Sequence, residues 1–123
     1  MVIDIGDAGI GNPAIDLIHT YFVLKVTGAG FSEDDIGFVG ITYREMHKFW
    51  DIFITEYCDG NKDKAARIQA QLHPYAVMMY ITTSISHPLM PEAYRQPHID
   101  RVRNEVLSRY DELVNYNWDN LLA

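Results

Sequence analysis

Apolar residues recur at three- and four-residue spacing through much of the chain. The clearest run is Met46, Phe49, Trp50, Phe53, Ile54 and Tyr57, with Arg44, Lys48, Asp51 and Glu56 between them. That period belongs to an amphipathic helix with one core-facing side. Thr42 followed by Glu45 supplies a capping-box start and Asp59-Gly60 a stop, so the pattern predicts a helix from about Tyr43 to Cys58. Asn12-Pro13 opens an earlier helix, expected from about Pro13 to Val26 and closed by Gly28-Ala29-Gly30. Its apolar residues, from Ala14 to Val26, cover most of its circumference and predict burial on more than one side.

Between these two helices, Ser32 with Asp35 reads as a capping pair, and Glu33, Asp34 and Asp35 suit a helix N-terminus. Gly37 and Gly40 keep anything that starts there short. A further helical pattern opens near Asn61 and carries Ala65, Ala66, Ile68, Ala70 and Leu72. Pro74 is expected to break it, kink it or start a new helix. The nearly all-apolar run from Tyr75 to about Ser84 reads as the most buried helix. His87-Pro88, Pro91 and Pro97 frame an irregular connection, and a last helix is expected from about Pro97 to Val114. On that helix Glu105 and Arg109 fall at the i,i+4 spacing of an ion pair.

The first residues differ. Met1 to Ile5 read as a short buried strand, followed by the glycine-punctuated loop Gly6-Asp7-Ala8-Gly9-Ile10-Gly11. The fold class expected is mainly α: one short N-terminal strand and loop, then about five helices, in a single domain over residues 1–123. A lone strand cannot satisfy its own backbone groups, so its partner is expected outside this chain.

Composition narrows the function classes. The 123 residues carry 10 Lys+Arg against 17 Asp+Glu, a net charge of −7, which disfavours a phosphate backbone as partner; no nucleic acid is expected. The longest apolar stretch, Tyr75 to Ile81, is far short of the roughly 20 residues of a membrane span, and no signal peptide is recognisable. Cys58 is the single cysteine, so neither an intrachain disulfide nor a cysteine zinc cluster is available. These features together predict a cytoplasmic setting without membrane attachment.

The sharpest motif lies at the N-terminus. Ile3-Asp4, Gly6-Asp7-Ala8-Gly9, Pro13 and Asp16-Leu17 stand in an order that resembles the metal-loop segment of the aminoglycoside phosphotransferase family, within the protein-kinase-like fold. The sequence departs from that pattern at Ile5, where an aromatic is common, at Asn12, where Asp is common, and at Ile18, where a small residue is common. The resemblance implies that the helices belong to the C-terminal lobe of such a kinase. It implies that Asp4, at the end of the strand, ligates Mg²⁺ with Gly6 and Asp7 in the loop near the metal, and that Asp16 is a buried carboxylate that orients a catalytic loop. Mg²⁺ takes oxygen ligands, often one or two carboxylates plus nucleotide phosphates, and supplies the charge neutralisation that phosphoryl transfer needs. Asp7 reads as a turn residue rather than a second ligand; without the motif, Asp4 would read as a turn residue too and Asp16 as a complement to the helix dipole.

The family's other parts are not recognisable here. No His-Gly-Asp or His-Arg-Asp occurs in the chain, so no catalytic residue is assigned. The resemblance therefore implies an ATP-dependent small-molecule phosphotransferase whose ATP and Mg²⁺ bind only with the missing N-terminal part. The substrate would be a small-molecule hydroxyl. Such a chain would be a fragment, one half of a split enzyme, or a decayed stand-alone helical domain that binds a partner or dimerises. In each case an exposed strand and uncovered apolar faces favour a homodimer or swapped oligomer. The five histidines, at 19, 47, 73, 87 and 98, show no metal-ligand spacing and read as satisfied or surface residues. Met46, Met78 and Met79, and the Phe49-Trp50-Phe53 cluster, read as core.

Overall fold

The computed structural model describes residues 13–37, 40–80 and 92–123. Four helices of nine residues or more account for most of them: α1 Pro13–Tyr21, α2 Tyr43–Tyr57, α3 Lys62–Tyr80 and α4 Glu92–Glu105. A short α5, Tyr110–Val114, follows, and there is no β-strand among the described residues. The expected strand Met1–Ile5, the loop at residues 6–11 and the stretch 81–84 lie outside them. The chain is mainly α, and among the described residues no helix is long and apolar enough to cross a membrane.

Helix α1 covers Pro13–Tyr21, within the expected span, and continues to Val26 as a wider π-helical turn, Phe22–Val26. Thr27 N–H reaches back to the Phe22 carbonyl at 3.1 Å, and its hydroxyl donates to the Val23 carbonyl at 2.8 Å. Ala14, Leu17, Ile18, Tyr21, Phe22 and Val26 are buried on one broad face. Burial does not extend all round, since Ile15 is 59% exposed.

The segment after α1 forms turns rather than the start of a helix. Ser32 and Asp35 do pair, through the Ser32 N–H and Asp35 Oδ2 at 3.0 Å, but no helix follows them. Instead Ile36 bridges back to Thr42, and Glu33 and Asp34 engage the Arg44 guanidinium at 2.8 and 3.1 Å. Two carboxylates facing one cation complement the start of α2 more directly than they would start a helix of their own.

Helix α2 carries the expected capping box. Thr42 Oγ1 accepts from the Glu45 N–H at 3.2 Å, and Glu45 Oε2 accepts from the Thr42 N–H at 2.9 Å. Met46, Trp50 and Ile54 are buried, with Phe53 half-buried. Phe49 is 59% exposed, so the aromatic cluster contributes Trp50 and Phe53 to the core without it. Asp59 (φ 53°) and Gly60 (φ 78°) turn the chain through left-handed conformations into α3.

Helix α3 is the centre of the fold, packed against α1, the π-helical turn, α2 and α4. Asn61 caps it through the Lys64 N–H at 3.0 Å. It runs through Pro74, so of the expected outcomes neither a break nor a new helix occurs there. Proline there removes the bond to the Ala70 carbonyl, but Ala70 is small and exposed, so water can serve that group, while the ring itself is buried in the core. Pro97 is likewise inside α4, which starts at Glu92, so the irregular connection does not extend to it. Helix α4 then ends at Glu105, and Leu107–Arg109 form a 3₁₀ turn before α5. That break removes the i,i+4 register of Glu105 and Arg109. Arg109 pairs with Glu112 instead, and Glu105 turns to α3.

Candidate functional site

The motif residues fall on both sides of the described boundary. Asp4, Gly6 and Asp7 lie outside the described residues. Pro13 opens α1 and Asp16 lies in its first turn. The Asp16 side chain is exposed, not buried, and its backbone carbonyl accepts the Thr20 hydroxyl at 2.9 Å. Among the described residues no group of three or more His, Cys, Asp or Glu side chains is placed to hold a metal ion.

A chain of polar side chains links α1, α3 and α4. Tyr21 Oη stands 2.7 Å from His73 Nδ1, and His73 Nε2 stands 3.2 Å from Glu105 Oε2. A carboxylate can only accept, so a neutral His73 carries its proton on Nε2 and accepts the Tyr21 hydroxyl on Nδ1. Arg101 Nε approaches the same Glu105 oxygen at 3.5 Å. Burial pushes the Tyr21 phenol up to about 12, opposed by the nearby Arg101 charge and reinforced by Glu105 and Asp51. The phenol is therefore a hydrogen-bond donor at neutral pH rather than a nucleophile. Its ring packs edge-on against Trp50 at 4.9 Å, and Trp50 Nε1 donates to Gln69 Oε1 at 2.7 Å. These links tie α1, α2, α3 and α4 into one polar and aromatic seam.

Two concavities border α4 and the segment from Val106 to Val114. One, of about 220 Å³, lies between the Ala29-Gly30 turn and Ala93, Pro97, His98 and Arg101 of α4. His98 is 5% exposed and lies against the Tyr80 ring, centroid to centroid 4.1 Å. Burial, and then the Arg101 charge, hold its imidazole below the usual range. The other, of about 240 Å³, is almost wholly apolar and is lined by residues that include Pro74, Met78, Leu107, Tyr110 and Val114. Met78, read from the sequence as core, is 38% exposed on this cleft, whereas Met46 is fully buried.

Sequence reasoning missed the Tyr21–His73–Glu105 chain. Its members are 52 and 32 residues apart, so no local spacing marks them. The one signal was a histidine set among apolar residues between Leu72 and Met79.

No family model, curated protein or solved structure matches the chain.

Proposed function

We propose that this chain supplies the Mg²⁺-binding carboxylate, Asp4, and the substrate-side helices of an ATP-dependent small-molecule phosphotransferase, and that it does not transfer phosphate alone. The observation that carries this reading is the ordered run Ile3-Asp4, Gly6-Asp7-Ala8-Gly9, Pro13, Asp16-Leu17, which resembles the metal loop of aminoglycoside phosphotransferases. The start of α1 at Pro13 and the mainly helical architecture are compatible with it. The exposed Asp16 carboxylate is open to accept backbone N–H groups from a catalytic loop supplied by another segment. Mg²⁺ held by Asp4 would supply charge neutralisation on the transferred phosphoryl group.

The test starts with the coding DNA on the 5′ side of the Met1 codon. An in-frame or adjacent segment encoding His-Gly-Asp with a downstream Asn would be joined or co-expressed with this chain. ATP-dependent phosphorylation of small hydroxyl compounds would then be measured. Turnover by the reunited protein, lost by roughly a hundredfold or more in Asp4→Asn, supports the reading. Absence of such a segment, or turnover indifferent to Asp4→Asn, overturns it.

A second reading is a stand-alone helical domain that binds or dimerises and keeps the motif idle. The apolar cleft at Met78, Leu107, Tyr110 and Val114 favours it. Light scattering of the purified chain separates the two: a stable dimer indifferent to any supplied lobe belongs to the second reading.

A further inference from the structure

We propose that the cleft between the Ala29-Gly30 turn and α4 binds a compact oxyanion, a carboxylate or phosphate carried by a small molecule, with the Arg101 guanidinium as its anchor. The proposal does not rest on the phosphotransferase reading. Its first support is the state of Arg101. Its side chain, 26% exposed, lines the cleft; Nε stands 3.5 Å from Glu105 Oε2, a carboxylate that shares its charge, and Nη1 is buried with no hydrogen-bond partner among the described residues. A buried donor left unpaired is costly, and each such group in a folded protein calls for an account. A guanidinium presents its N–H groups as a planar fork that matches two oxygens of a carboxylate or phosphate.

The second support is the composition of the cleft. Of the described residues that line it, Ala29, Gly30, Ala93, Pro97, His98 and Arg101, the one fixed charge is cationic and none is a carboxylate. In a chain of net charge −7, a concavity with that lining departs from the general surface. Small residues make the room: a Cβ built on Gly30 would meet nothing within 4 Å. The third support is His98, buried on the cleft wall against Tyr80. Held below the usual range by burial and by Arg101, it is neutral at pH 7 and offers a ring N–H without adding a charge. A volume of about 220 Å³ suits a ligand smaller than the drug-sized molecules that fill pockets of roughly 300–1,000 Å³.

The experiment is an NMR titration of the full chain at pH 7 with inorganic phosphate, with acetate, and with chloride at matched ionic strength. The signals followed are the Arg101 Nε–H and the His98 ring. Saturable shifts with phosphate or acetate but not chloride are expected, and the tighter of the two identifies the class of oxyanion. Arg101→Lys keeps the charge but loses the fork and should weaken binding by about tenfold, and Arg101→Gln should abolish it. Should Arg101→Gln fail to fold, Ala93→Leu fills the cleft from an exposed position and should block binding with Arg101 intact. Shifts that do not saturate, that chloride reproduces, or that persist undiminished in Arg101→Lys or Ala93→Leu overturn the proposal.

Discussion

The Tyr21 hydroxyl meets His73 Nδ1 at 2.7 Å, joining the end of α1 to the middle of α3 across 52 residues of sequence. The same imidazole faces Glu105 of α4 on its other side, at 3.2 Å. One side chain thus links three helices that also pack through apolar contacts. Tyr21→Phe removes the donor while keeping the ring against Trp50, so the loss should be that of one hydrogen bond, about 1 kcal/mol. His73→Ala should cost more, because it also leaves the buried Tyr21 hydroxyl without this partner. A double-mutant cycle of Tyr21→Phe with His73→Ala, read by urea denaturation, should show coupling of roughly 0.5 kcal/mol or more. Strict additivity would mean that the bond contributes nothing measurable.

Gly28 sets how closely the turn after α1 approaches α2. A Cβ placed there would lie 2.6 Å from Cδ1 of the Tyr43 ring. That ring is buried and stacks on Phe31 with centroids 5.5 Å apart, so it cannot retreat without losing its own packing. Gly28→Ala should therefore destabilise the chain by about 1–3 kcal/mol, as an overpacked contact does. Pairing it with Tyr43→Leu tests the cause: part of the loss should return if the ring is what the methyl group strikes.

The Thr42–Glu45 box is reciprocal, with each residue serving the other's N–H at 2.9 to 3.2 Å. Its bonds hold the Glu45 carboxyl below the usual carboxylate range. Thr42→Ala should cost about 1 kcal/mol in chemical denaturation, and Thr42→Ser should restore most of it. Equal losses in both variants would show that the methyl packing of Thr42, not its oxygen, matters.

The parts of the fold that were legible in the sequence are those whose signals are local. The capping box of α2 and the Asp59-Gly60 stop each involve neighbours within four residues, and each stands where expected. The errors came where tertiary context overrode a local rule. Pro74 and Pro97 both sit inside helices, because the proline ring at 74 is buried in the core and the carbonyls each ring deprives belong to exposed Ala70 and Ala93. Glu33, Asp34 and Asp35 look like a helix start, but Arg44, about ten residues on, claims two of them. The candidate site divides in the same way. The motif from Ile3 to Leu17 is a pattern of neighbours and can be read directly. The Arg101 cleft depends on residues 30 and 101 lining one cavity, which no period in the sequence encodes.

His98 makes stability depend on pH in a window that can be assigned. In the folded chain its imidazole is held below the ordinary value of 6.5, first by burial and then by the Arg101 charge. Unfolding releases both constraints and returns it to about 6.5. Below 6.5 the unfolded state therefore binds more protons than the folded state, so falling pH favours unfolding. Stability from this group is fully present above about pH 6.5 and is lost as pH falls toward the folded value. Glu45 and Glu112, whose carboxyls are held low by the Thr42 bonds and by Arg109, act in a separate window below about pH 4.5. Urea midpoints measured between pH 7.5 and 5 in a buffer free of phosphate and carboxylate should decline for the wild-type chain. His98→Gln should start less stable at pH 7.5, because it disturbs the contact with Tyr80, yet show a flatter profile down to pH 5. A parallel decline in both proteins would show that His98 is not the group responsible.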